Sequence, residues 1–148
     1  MGTYTQILYQ IVFSTKNREP TLDVENHKEV FQYIWGLLKN KNCILYQIGG
    51  VADHLHIILH LHPSIALSDL VKDIKIASAI HIKKSLLFPS FSGWQEGYGA
   101  FTYSITEKDN LIKYVKNQVE HHKKISFKDE FLTILKEHGI TFDEKYLE

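Results

Sequence analysis

Hydrophobic and polar positions along the chain follow two periods that predict a mixed α and β protein. Runs rich in β-branched and aromatic residues predict strands, and apolar residues at intervals of three and four predict helices. The predicted strands cover residues 5–13, 43–48, 54–61 and 100–105. The predicted helices cover residues 24–40, 66–86, about 107–122 and 127–138. Between the second and third strands, the pair Gly49-Gly50 is interpreted as a hairpin turn.

The resulting order is βαββαβ followed by further helix, which is typical of the ferredoxin-like (RRM-like) split βαβ fold. We therefore expect an α+β structure, a four-stranded antiparallel sheet with helices on one face plus C-terminal helices. The chain has 148 residues, 44% of them hydrophobic, which suits a single domain over residues 1–148. This fold carries many functions, so function has to be argued from particular residues.

Composition narrows the functional classes. The net charge is zero, which argues against a protein that grips duplex DNA over its whole surface. Residues 69–124 nevertheless carry nine lysines against six acids, and Arg18 is the single arginine. Lone Cys43 predicts a reducing, cytoplasmic location. No apolar stretch approaches the length of a membrane span, so we expect no membrane association.

The third strand carries a histidine pair with metal-binding potential. Alternate residues of a strand share a face, so His54 and His56 point the same way, roughly 6.6 Å apart along the strand, and can reach one ion. His60 lies roughly 13 Å from His56 and is excluded from that ion, as is His62. Asp53 either orients an imidazole or is the polar end of the hairpin turn. The alternative for the whole group is a set of polar residues on a half-solvated strand.

A tyrosine and an amide share one flank of the helix predicted at about residues 107–122. The i, i+4 spacing makes Tyr114 and Gln118 neighbours, so a phenol oxygen and an amide oxygen can face the same space. The alternative is a tyrosine at the edge of the core beside a solvated glutamine. Combined with the histidine pair, the two residues indicate a phosphodiester nuclease, because a phenol becomes an effective nucleophile when a metal polarises its phosphate target.

These motifs resemble a known family, the single-tyrosine HUH transposases of the insertion sequence 200/605 group, which are also called TnpA-like or REP-associated transposases. The HUH motif stands as His54-Leu55-His56, and the helix motif as Tyr114-Val115-Lys116-Asn117-Gln118. Further similar stretches are YQIVFSTKNREP, SDLVKDIK, WQEGYGAF and EHHKKISFKDEFLTILKEHGI. The similarity runs from the first strand almost to the end of the chain.

The resemblance implies both an activity and a set of site residues. Such enzymes cut single-stranded DNA beside hairpins at the ends of a mobile element and rejoin it through a 5′-phosphotyrosine intermediate. It implies that Tyr114 is the nucleophile and that His54, His56 and Gln118 hold a divalent metal, Mg²⁺ or Mn²⁺. Imidazoles ordinarily favour zinc, but two imidazoles and an amide make a weak zinc site. The resemblance also implies a homodimer in which active sites are shared between subunits.

Two other functional classes stay open at this point. One is a non-catalytic single-stranded nucleic-acid-binding module, although such modules expose aromatic residues where this strand carries histidines. The other is a domesticated or replication-initiator-like HUH endonuclease. Three residues before the last strand either contact DNA or fix their loop: Trp94, Gln95 and Tyr98. Candidate phosphate contacts, without individual roles, are Lys16, Arg18, Lys72, Lys75, Lys83 and Lys84.

Overall fold

Four antiparallel strands form the sheet of this protein. A computed structural model describes residues 1–143. The strands are β1 (Leu8–Ser14), β2 (Ile44–Val51), β3 (His54–His60) and β4 (Gly99–Tyr103), in the spatial order β2-β3-β1-β4. Every pairing is antiparallel, with β1 and β3 at the centre. The predicted ferredoxin-like α+β fold is confirmed.

Helices cover both faces of this sheet. They are α1 (His27–Asn40), α2 (Leu67–Ser85), α3 (Lys108–Lys116), α4 (Gln118–His121) and α5 (Phe127–Glu137). The main core lies between one face of the sheet and the apolar sides of α1 and α2. On the opposite face, α3 packs through Leu111 and Val115, and α5 packs through Ile134 and Leu135. The face that carries the histidine pair is therefore covered by the carboxy-terminal helices.

The hairpin turn lies at Ala52-Asp53, so its prediction at Gly49-Gly50 is wrong. Both glycines are paired residues of β2, opposite His56 and Leu55 of β3. A side chain at position 49 would collide with the backbone carbonyl of Val115. These glycines therefore serve close packing, with α3 seated directly on the strand.

The helix predicted at about residues 107–122 is also interrupted. α3 ends at Lys116, and Asn117 has φ −95° and ψ 16° before α4 begins. Asparagine favours helices weakly, which makes it a suitable point for the break. After the break, Gln118 is buried. α5 agrees with its predicted span of 127–138 to one residue, and Ser126 caps it by accepting a hydrogen bond from the Asp129 amide.

Within residues 1–143, the helices all lack the combination of length and apolar character that spanning a bilayer requires.

Candidate metal and DNA-cleavage site

Two of the three histidines of β3 are buried beneath the carboxy-terminal helices. The side chains of His54 and His56 are 0% exposed. The Nδ1 atom of His54 lies 2.7 Å from Asp53 Oδ1, and the Nδ1 atom of His56 lies 2.7 Å from Gln10 Oε1. Because a carboxylate oxygen and an amide oxygen only accept hydrogen bonds, each Nδ1 donates. Nε2 is then the ring atom left to bind a metal, once any proton that it carries is released.

The tyrosine helix brings its two candidate residues to the same place. α3 packs on β2 and β3 through the contact between Gly49 and Val115, the residue after Tyr114. The Tyr114 ring lies edge-on to the His56 ring, with 5.7 Å between centroids. At the start of α4, Gln118 is 1% exposed and places Oε1 3.0 Å from His54 Nε2. Tyr114 and Gln118 thus meet the histidine pair of their own chain.

Glu130 of α5 lies at the centre of this cluster. Its Oε1 is 3.3 Å from His54 Nε2, 3.1 Å from His56 Nε2 and 3.0 Å from His122 Nε2. Its Oε2 accepts hydrogen bonds from the Tyr114 hydroxyl and, at 2.9 Å, from Gln118 Nε2. The carboxylate is 3% exposed. One buried carboxylate therefore joins the histidine pair to the tyrosine.

Four of these side chains form a group able to hold a metal ion. They are His54, His56, His122 and Glu130, and their ligand atoms all lie within 4.8 Å of one another. His122 resembles the other two imidazoles, because its Nδ1 lies 2.7 Å from the carbonyl oxygen of Ile125 and its Nε2 faces the group. Imidazole nitrogen and carboxylate oxygen are ordinary ligands of divalent metals. The donor set fits a divalent cation.

The ionisation of the group follows from its burial and its contacts. Burial lowers the pKa of His54, but hydrogen bonds to Asp53 and Glu130 outweigh burial and raise that pKa to about 9. Burial lowers the pKa of His56 to about 4 despite the neighbouring Glu130. Burial alone would raise the pKa of Glu130, yet hydrogen bonds from His122, His54 and His56 hold it far below its usual value. Glu130 is therefore an ionised carboxylate among imidazoles.

The Tyr114 phenol is not pre-ionised. Burial and the hydrogen bond to the Glu130 carboxylate raise its pKa well above the usual value, and the neighbouring Gln118 offsets only part of this rise. A neutral phenol is a weak nucleophile. Any reaction at this oxygen therefore has to remove the phenol proton as the new bond forms.

A cavity of about 380 Å³ opens beside Tyr114. Its lining includes Gln10, Tyr103, His121 and Glu130. Gln10 donates through Nε2 to the Tyr103 hydroxyl at 2.8 Å while its Oε1 holds His56. The cavity therefore gives a small ligand a route to the buried group from the tyrosine side.

All four residues that the sequence singled out lie together: His54, His56, Tyr114 and Gln118. Asp53 fills both of the roles considered for it, because it lies in the hairpin turn and also anchors an imidazole. Sequence reasoning assigned no role to His122, Glu130 or Gln10. His122 and Glu130 lie in the stretch EHHKKISFKDEF. The available signal there is a pair of adjacent histidines, the second of which is followed eight residues later by an acid.

Other candidates have structural roles. His60 accepts a hydrogen bond from the Ile7 amide. Trp94 donates to Ser78 Oγ at 3.0 Å, and Gln95 accepts from the Asn17 amide at 2.8 Å, so both fix the loop before β4. Lys75 donates to the backbone carbonyls of that loop, at 2.8 Å for the carbonyl of Gln95.

Comparison with known protein families identifies the class of this chain as a transposase. The chain belongs to the IS200-like transposases, because the family model described as "Transposase IS200 like" (Y1_Tnp) matches residues 3–118. The resemblance seen in the sequence is thereby confirmed. A comparison with curated proteins finds no match.

Two solved structures share the fold. One is a provisionally assigned transposase from Deinococcus radiodurans R1, with TM-score 0.64 and 23% identity over 80% of this chain and 95% of that one. The other is a REP-associated tyrosine transposase bound to a REP hairpin, with TM-score 0.61 and 14% identity over 84% of this chain and 76% of that one. At these identities, the similarity establishes the fold.

Proposed function

We propose that this transposase is a metal-dependent endonuclease and strand transferase for single-stranded DNA, acting through a 5′-phosphotyrosine intermediate. The observation that carries the proposal is the meeting of a tyrosine hydroxyl, an amide oxygen and two imidazoles around one buried point. Membership of the family supports the same reaction class.

In this proposal Tyr114 is the nucleophile. Its phenol oxygen attacks phosphorus, the bond from phosphorus to the 3′ oxygen breaks, and the electron pair leaves with that oxygen. The phenol loses its proton during attack, and the departing 3′ oxygen gains one. Attack by the free 3′-hydroxyl of another strand on the phosphotyrosine bond reverses these steps and joins the strands. Both steps exchange one phosphodiester for another, so no external energy is needed.

His54, His56 and Gln118 are the proposed metal-holding residues, and the expected ion is Mg²⁺ or Mn²⁺. When bound, such an ion polarises the phosphate and stabilises the charge that develops on its oxygens. Asp53 and Gln10 contact the Nδ1 atoms and orient the two imidazoles, so that their Nε2 atoms would bind the ion. The packing of α3 on β2 keeps Tyr114 beside His56.

The proposed substrate is single-stranded DNA with hairpin ends. The related REP-associated enzyme is bound to a REP hairpin, which supports this class of partner. A single arginine leaves little capacity for bidentate reading of guanine edges, so shape and unpaired bases are the expected signals. The cavity beside Tyr114 offers the phosphate an approach to the site.

Three further statements belong to the same proposal. Residues 1–148 act as one catalytic domain, the location is cytoplasmic, and the protein is a homodimer whose subunits share active sites.

Shared active sites require α3 of each subunit to leave its own sheet and pack on the sheet of the partner. Mixing Tyr114→Phe with a His54→Ala, His56→Ala double variant tests this, because shared sites regain cleavage in the mixture. No regained cleavage would mean that each subunit uses its own tyrosine.

The direct test incubates the protein with hairpin-containing single strands and Mn²⁺ and follows a denaturant-resistant protein–DNA adduct. We expect the wild type to form the adduct and Tyr114→Phe to form none. Tyr33→Phe is the matched control, because Tyr33 belongs to α1 and stacks on His81. DNA binding without any adduct in the wild type would favour the binding module and contradict the proposal.

A further inference from the structure

We infer that His122 and Glu130 are ligands of the same ion as the histidine pair, so that the site selects a transition-metal cation over Mg²⁺. The inference rests on the metal site of the proposed function and adds two ligands to it. Both lie beyond residue 118, where the match to the family model ends. The carboxy-terminal segment of this chain thus completes a site that the family motifs only begin.

Three separate contacts orient three imidazole nitrogens toward one carboxylate oxygen. Each of the three imidazoles has Nδ1 against an oxygen that can only accept: Asp53 Oδ1, Gln10 Oε1 and the carbonyl of Ile125, all at 2.7 Å. A neutral imidazole that donates through Nδ1 carries a lone pair on Nε2. The three Nε2 atoms converge on Glu130 Oε1, and in the metal-free chain protons bridge imidazole and carboxylate. A divalent cation can take the place of these protons, because imidazole and carboxylate ligands release protons when they bind a metal.

The spacing of the atoms supports the same conclusion. Ligand atoms held at about 2.0–2.2 Å from one ion stand roughly 3.0–3.5 Å from their neighbours in the shell. Glu130 Oε1 lies 3.0, 3.1 and 3.3 Å from the three Nε2 atoms. These three distances lie in the range for neighbouring ligands of one ion, which overlaps the range for hydrogen bonds, and all four ligand atoms lie within 4.8 Å of one another. Small movements of the side chains would therefore let Glu130 and His122 bind the same ion as the histidine pair.

The chemistry of the donors then decides the class of metal. Mg²⁺ favours oxygen ligands and keeps several waters, whereas imidazole nitrogen favours transition metals. With three imidazoles and a carboxylate, the set lies closer to the sites of Mn²⁺, Co²⁺ or Zn²⁺. Among the two metals expected for the proposed function, this set selects Mn²⁺.

The test titrates the metal-free full-length protein with Co²⁺ and measures its visible absorption, which reports the number and type of ligands. We expect Glu130→Gln and His122→Ala each to change the spectrum and to weaken binding by about 10–100-fold or more. Excess Mg²⁺ should fail to displace Co²⁺ from the wild type. Circular dichroism melting of each variant verifies folding, and if Glu130→Gln fails to fold, His122→Ala alone decides.

The matched controls are Glu29→Gln and His81→Ala, which alter a second imidazole–carboxylate pair, with 2.9 Å between His81 Nε2 and Glu29 Oε1. This pair joins α1 to α2, away from the histidine pair, so we expect unchanged Co²⁺ binding. Unchanged binding in both Glu130→Gln and His122→Ala would overturn the inference. Tighter binding in Glu130→Ala would overturn it as well, since the carboxylate would then occupy the position of the ion rather than bind it.

The outcomes also separate this inference from the proposed function. Loss of binding in Gln118→Ala with normal binding in Glu130→Gln and His122→Ala would reject the two added ligands and keep the proposed site. Co²⁺ binding that depends on Glu130 and His122, with no DNA adduct in the wild type, would reject the proposed reaction and keep the added ligands.

Discussion

Gly49 of β2 lies directly against the backbone carbonyl of Val115, the residue that follows Tyr114. This contact seats the tyrosine helix on the sheet without an intervening side chain. It connects a residue with no chemistry of its own to the position of the proposed nucleophile. Gly49 lies in a strand, where any residue can adopt the backbone conformation. A glycine is therefore needed here for the close approach of α3 and not for its conformational freedom.

Gly49→Ala should displace α3 from the sheet. The added methyl group meets backbone rather than a movable side chain, and overpacking of this kind costs about 1–3 kcal/mol of the free energy of unfolding. Adduct formation should fall as well, because Tyr114 moves with the helix. Urea denaturation and the adduct assay measure the two effects. Gly36→Ala in α1, where nothing lies within 4 Å of the new methyl group, is the control and should be neutral or stabilising.

Gln10→Ala should weaken metal binding although Gln10 is not a proposed ligand. Its Oε1 accepts from His56 Nδ1 at 2.7 Å and so sets the orientation of that imidazole. Loss of such a supporting contact typically reduces metal affinity by about 10–100-fold. Calorimetric titration with Mn²⁺ measures the change. Gln47→Ala, which alters a glutamine that bonds to the adjacent Ile48 carbonyl, should leave the affinity unchanged, and equal losses in both variants would contradict this role.

Removal of the bound ion should lower the free energy of unfolding, because the ion binds the folded state and not the unfolded chain. An ion present at about a hundred times its Kd stabilises the folded state by ~2.7 kcal/mol. For a chain of this size, that corresponds to a shift of roughly 5–10 °C in Tm. Melting curves with chelator and with Mn²⁺ measure the shift. The His54→Ala, His56→Ala double variant should show a much smaller one, and an equal shift in both proteins would place the stabilising ion elsewhere.

His27 should contribute a pH dependence to stability. Burial lowers its pKa below the ordinary value of 6.5, and its Nε2 donates to the Leu22 carbonyl at 3.0 Å. The folded state thus binds fewer protons at this position than the unfolded chain. The contribution is fully present above about pH 6.5 and is lost as pH falls through the folded-state pKa.

Replacement by glutamine tests this contribution, because His27→Gln keeps a donor and cannot titrate. Unfolding measured by urea at about pH 7.5 and about pH 5.5 should show a smaller loss of stability in the variant than in the wild type. Equal losses would assign the acid sensitivity to other groups.

How far the sequence predicts this molecule depends on how local each signal is. The element order and the faces of β3 follow from periodicity, and Tyr114 and Gln118 follow from helical spacing. The sequence predicts the turn at Gly49-Gly50, and not at Ala52-Asp53, because a glycine pair is typical of turns. Glycine is required at position 49 for another reason, since a side chain there would collide with the carbonyl of Val115, which is distant in sequence.

The missing part of the site has the same explanation. Glu130 and His122 have only a weak local signal, the adjacent histidines and the later acid of EHHKKISFKDEF. Glu130 reaches the histidine pair through the packing of α5 against Val12 and Phe101. His122 reaches it from the end of α4, where its ring contacts the carbonyl of Ile125. The sequence also does not predict the break between α3 and α4 at Asn117. A weak helix former inside a periodic segment does not indicate by itself that the helix ends there. Long-range packing, rather than pattern, places these residues.

In the proposed reaction, the Tyr114 oxygen becomes covalently joined to the 5′ phosphate of cleaved DNA. Mass spectrometry of the digested protein–DNA adduct measures this directly. We expect a nucleotide phosphate mass on the peptide that contains Tyr114, together with a free 3′-hydroxyl on the released strand. A phosphate on any other residue, or cleavage with no covalent peptide, would contradict it.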